Sequence, residues 1–143
     1  MKLSSIFGNN DKKKRLSHIR NVIGVASIDG YMDEAELAAI NGIAAKIGIT
    51  KSEIDLVLNN PNSIEFHPPT SEREKIIQLH DLVLVMIIDG EIDDDEYRFC
   101  QICAKNLGFH PDIINEVIET TIQMVEKGVD ADMAISELAS IIK

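Results

Sequence analysis

Two clusters of carboxylates, sixty positions apart, are the residues whose types and spacing could hold a metal ion. Asp29, Asp33 and Glu36 stand in Asp29-Gly30-Tyr31-Met32-Asp33-Glu34-Ala35-Glu36, and Asp89, Asp93 and Glu96 in Asp89-Gly90-Glu91-Ile92-Asp93-Asp94-Asp95-Glu96. Oxygen ligands of this kind suit Ca²⁺, Mg²⁺ or Mn²⁺ rather than a thiolate-seeking ion. The second run crowds six carboxylates into eight positions. Like charges so close cost energy unless water, a helix N-terminus or a cation relieves them.

Each run reads D-G-x-apolar-D-x-x-E, the back half of an EF-hand calcium loop. Gly30 and Gly90 fall on the sharp turn, Met32 and Ile92 on the apolar position, and Glu36 and Glu96 on the bidentate carboxylate. The front half is missing: Val25 and Ser27, or Val85 and Ile87, stand where the first and third ligands belong. An ordinary EF-hand site is therefore excluded. Asp33-x-x-Glu36 and Asp93-x-x-Glu96 also fit an N-cap with its partner at N3, where acids favour the helix dipole. Capping accounts for Asp33 and Asp93 but leaves Asp29 and Asp89 unexplained. Placed just before the glycine in both runs, these two are within reach of Glu36 and Glu96, for a metal or for an interhelical hydrogen-bond network. A well-solvated acidic surface is the alternative.

Other chemistry is absent or explained by packing. Cys100-Gln101-Ile102-Cys103 has C-x-x-C spacing, but no second pair accompanies it and the sixty-residue offset aligns the two thiols with Ile40 and Ile43. The cysteines are therefore expected in the core as small hydrophobes. Four scattered histidines receive no role, and there is no Gly-rich phosphate loop, nucleophile elbow or zinc-helix signature.

The elements that must position the acids repeat with them. Leu16, Ile19, Val22, Ile23 and Ala26 have helical spacing over 16–28, with Gly30 as a stop. Asp33 opens a second helix carrying Leu37, Ile40, Ile43, Ala44 and Ile47, and Thr50-Lys51-Ser52-Glu53 caps a third. Asn59 to Pro69 is the linker. Ser71 starts the next helix, whose run Leu82 to Ile88 could pass for a buried strand; its counterpart Val22 to Ile28 is helical and no second strand exists to pair with it. Asp93–Leu107 and Pro111–Glu126 repeat the second and third helices, and Ala134, Leu138, Ile141 and Ile142 mark one more helix without a counterpart. The expectation is an all-α bundle of about seven helices, with repeats over 17–60 and 77–120, a single domain over 12–143 and a flexible arm over 1–11.

The chain of 143 residues carries a net charge of −10, but Lys2, Lys12, Lys13, Lys14, Arg15 and Arg20 against Asp11 leave the first twenty residues at +5 and the remainder at −15. So acidic a body repels phosphate backbones, which argues against nucleic acid and for cations or proteins with a basic surface. Met1, Leu3, Ile6 and Phe7 before the basic run could make weak contact with an anionic membrane surface. No apolar stretch approaches a membrane span of ~20 residues. Two cysteines make no disulfide framework, and Met1–Phe7 lacks a signal-peptide pattern, so the expected compartment is the cytoplasm.

Two helical halves, each with an acidic D-G-x-apolar-x-x-x-E loop after an apolar helix, resemble the TerB-like tellurite-resistance family over roughly residues 12–143. That resemblance implies an all-helical, non-enzymatic domain of a stress-response assembly at the inner membrane face, working through divalent metal and protein partners. It implies Asp29, Glu36, Asp89 and Glu96 as functional positions, with Asp33 and Asp93 adjacent. The alternative is a metal-free adaptor that docks a basic partner on its acidic face.

Overall fold

The computed structural model describes residues 3–28, 30 and 32–142, with side chains from residue 11 onward. Among these residues the chain is all helical: α1 (Leu3–Ala26), α2 (Glu34–Lys46), α3 (Lys51–Asn59), α4 (Glu72–Ile87), α5 (Asp94–Leu107), α6 (Ile114–Glu126) and α7 (Ala131–Ile142). The expected seven-helix architecture is found, and no described helix is long and apolar enough to cross a membrane. The run Leu82–Ile87 belongs to α4. It looks strand-like because α4 is covered on several sides, by α1, α2, α5, α6 and α7, so its apolar positions need no single stripe. Leu79, Leu82, Val83, Val85 and Met86 are all fully buried.

The sixty-residue offset is visible in the core. Ile19, Val22 and Val25 of α1 are fully buried, as are their counterparts Leu79, Leu82 and Val85 of α4. These two helices pack on each other as the central pair. Each half also reaches across: α1 packs on α5, and α2 on α4. At the first crossing α1 carries Gly24, where a Cβ would lie 2.6 Å from Phe99 Cζ. The equivalent residues for the second crossing are Leu84 and Ala39, large and small exchanged.

Capping chemistry sets most helix starts as the sequence predicts. Thr50 accepts from Glu53 N–H while Glu53 accepts from Thr50 N–H, a complete capping box, and Ser71 accepts from Glu74 N–H. Two boundaries differ from expectation. α1 begins at Leu3, well before the apolar spacing from Leu16, so the backbone from Leu3 continues the central helix. Pro111 opens a short 3₁₀ turn, Pro111–Ile113, before α6 proper. The linker holds a second such turn, Pro61–Ser63, and is tied to α1 by His67 N–H donating to Ser17 Oγ (2.9 Å) and Arg20 Nε donating to Pro61 O (2.7 Å).

Candidate functional site

Both acidic runs turn after the central helices, and both turns use glycine in left-handed geometry: φ is +84° at Gly30 and +89° at Gly90. That conformation is strained for any residue with a Cβ. The turns deliver Glu36 to the first turn of α2 and Glu96 to the first turn of α5. Although each is a carboxylate at a helix start, both are buried, Glu36 at 5% and Glu96 at 6% exposure. The charges of Glu36, Asp89 and Asp93 all act on Glu96. Burial above all, then Glu36, Asp89 and finally Asp93, push the Glu96 carboxyl up to about 7, while Asp93 N–H holds it lower by donating to it. Charges from both repeats therefore act on the Glu96 carboxyl.

Asp33 and Asp93 are N-caps. Asp33 Oδ1 accepts from Glu36 N–H (2.7 Å), and Glu36 Oε1 accepts from Asp33 N–H (3.2 Å), completing a capping box. Asp93 Oδ1 instead accepts from Asp95 N–H (2.7 Å). Asp89 Oδ1 accepts from Glu91 N–H (3.1 Å), closing its own turn, and Asp89 is exposed. Asp29 lies outside the described residues. Of the six sequence-selected acids, Glu36, Glu96, Asp89 and Asp93 are thus brought into one electrostatic neighbourhood, with Asp33 as the cap of Glu36.

Among the described residues, no group of three or more His, Cys, Asp or Glu is close enough together to hold a metal ion. What fits a cation is the donor chemistry: two buried carboxylates of like charge, one of them pushed toward neutrality by burial first and then by its acidic neighbours. Mg²⁺ in particular is held by one or two carboxylates with water completing its shell.

Cys100 and Cys103 line the buried side of α5. Burial first and then Cys103 push the Cys100 thiol far up; burial pushes Cys103 up to about 12 against the opposing pull of Arg20. Thiolate, the reactive form, is thus suppressed at both. A maleimide reagent is expected to leave the folded protein unlabelled and to label both thiols in denaturant; fast labelling of the native protein would contradict this burial.

The sequence assigned no role to His18, yet it forms a buried pair with Asp81. His18 Nε2 donates to Asp81 Oδ2 at 2.8 Å, with Lys46 Nζ 3.5 Å from Asp81 Oδ1. The pair joins α1 to α4 beside a cavity of about 290 Å³. Its signal was a polar residue on an otherwise apolar face in each central helix. His80 is buried as well, against Val129 O (3.0 Å), where it supports the turn into α7.

No protein-family model, curated protein sequence or solved structure matches the chain.

Proposed function

We propose that this chain is a non-enzymatic binding domain whose paired acidic turns take up a divalent cation, Ca²⁺, Mg²⁺ or Mn²⁺, and dock protein partners. The observation that carries the reading is the burial of both Glu36 and Glu96, with the charge of Glu36 acting on Glu96, an arrangement that like charges resist and that a cation would relieve. Glu36 and Glu96 would hold the ion, Asp89 would add charge beside it, and Asp33 and Asp93 would fix the two glutamates through their caps. The resemblance to the TerB-like family supports a setting in a stress-response assembly with partners near the inner membrane face.

Calorimetric titration of the metal-stripped protein with each ion tests the cation, using Glu36→Gln/Glu96→Gln as the control. Gln keeps the size and most hydrogen-bonding ability while deleting charge. The parent is expected to gain about 2.7 kcal/mol of stability at an ion concentration of about 100 Kd, and the double variant to lose that gain. Absence of heat and of any stability change at millimolar ion would remove the cation and leave the acidic-face adaptor. Five exposed acids, Asp89, Glu91, Asp93, Asp94 and Asp95, favour that second reading.

A further inference from the structure

We propose that the groove between the end of α4, the turn that follows it and the end of α6 docks a basic amphipathic helix of a partner protein. This rests on the partner-binding half of the reading above and requires no metal. The groove encloses about 550 Å³, and Leu84, Ile87, Ile88, Ile92 and Val125 make its apolar floor, with Glu126 at one end. Ile88 is 38% and Ile92 42% exposed. Covering the exposed part of these side chains removes apolar surface from water, so this surface is a source of binding energy.

What covers the floor is indicated by its rim. Asp89, Glu91, Asp93, Asp94 and Asp95 all stand exposed on the turn that supplies Ile88 and Ile92. Among the described residues, the one cation ion-paired with them is Arg98, 4.0 Å from Asp95. A second copy docked face to face would bring the same acids against these, and an anionic membrane would be repelled. A helix with an apolar stripe and lysines or arginines beside it satisfies both the floor and the rim.

The first half provides an internal comparison. Where the second has Leu84, Ile87, Glu91 and Asp95, the first has Gly24, Ser27, Tyr31 and Ala35. The two halves share the turn glycine and the buried glutamate, which their common fold uses. They differ in that the second half carries more apolar side chains and more carboxylates around one groove. Neither exposed isoleucines nor crowded acids stabilise a solvated turn, and one partner of mixed character would relieve both.

A synthetic helix of about eighteen residues, five turns, with leucines at i, i+3, i+4 and i+7 and lysines elsewhere, is the probe. Its scrambled isomer has the same charge and no apolar face. Binding is followed by calorimetry with the full chain in chelator, so that the outcome is separate from the cation titration. The amphipathic peptide is expected to bind at least about tenfold tighter than its isomer, and Ile88→Ser/Ile92→Ser to remove that preference. Glu91→Gln/Asp94→Asn/Asp95→Asn, which spares the Asp93 cap, is expected to flatten the salt dependence of binding. Equal affinity for both peptides, no binding at millimolar peptide, or sedimentation as a dimer that Ile88→Ser/Ile92→Ser dissolves would each overturn the proposal. None of these results alters the cation reading, which turns on Glu36 and Glu96.

Discussion

At pH 8 and without divalent ions, Glu96→Gln is expected to be more stable than the parent chain by on the order of 2 kcal/mol, and at pH 5 the two should converge. Burial, with the charges of Glu36, Asp89 and Asp93, raises the folded carboxyl from 4.5 to about 7. The folded state therefore holds a proton that the unfolded chain releases between these values. This contribution to stability is fully present below about pH 4.5 and is lost as pH rises through about 7. The whole shift is worth about 3.5 kcal/mol at ~1.4 kcal/mol per unit, discounted because the exposed Asp89 and Asp93 beside it keep water close. Gln is uncharged at every pH and keeps an acceptor for Asp93 N–H. Urea midpoints of parent and variant at pH 5 and pH 8 provide the measurement; a parent-variant difference that does not grow with pH would mean that Glu96 is solvated.

Asp81→Ala is expected to cost about 3 kcal/mol, because it strands His18 in the core. The pair stands at 2.8 Å with both side chains almost fully buried, and Lys46 reaches Asp81 only from the rim. Loss of one partner leaves a polar ring without its acceptor, whereas loss of both removes the demand. His18→Leu/Asp81→Leu should therefore recover much of the loss, giving a coupling of on the order of 1–3 kcal/mol in a double-mutant cycle. Denaturant unfolding of the parent, the two single variants and the double variant measures it. Additive losses would show that the pair contributes nothing beyond its separate side chains.

The repeat made much of this fold legible because the periodicity of each half checked the other. The helical state of Leu82–Ile87 was settled by its counterpart in α1 and by the lack of a partner strand, and the caps at Thr50 and Ser71 followed from short-range hydrogen-bonding chemistry. Long-range pairing was not legible in the same way. An offset states that Glu36 and Glu96 are equivalent, but equivalence does not state that both are buried and that the charge of one acts on the other; that follows from how the helices pack. His18 and Asp81 were hidden because their counterparts, Gln78 and Asn21, keep only the polarity of these positions, and the offset does not state that His18 meets Asp81. The start of α1 was missed because Lys12–Arg15 reads as solvated charge, whereas Lys12 reaches Glu53 at 2.9 Å and Arg15 donates to Ile47 O at 3.0 Å.

The contact of Gly24 with Phe99 bears on how a doubled chain keeps its two parts distinct. The first half supplies glycine where the second has Leu84, and alanine, Ala39, where the second has Phe99. At the Gly24–Phe99 contact, two copies of the first half would place Gly against Ala and leave a void; two copies of the second would place Leu against Phe and collide. Each half is thus complementary to the other and a poor match for itself. The heterotypic contact of Gly24 with Phe99 favours pairing of the two unlike halves over pairing of like ones.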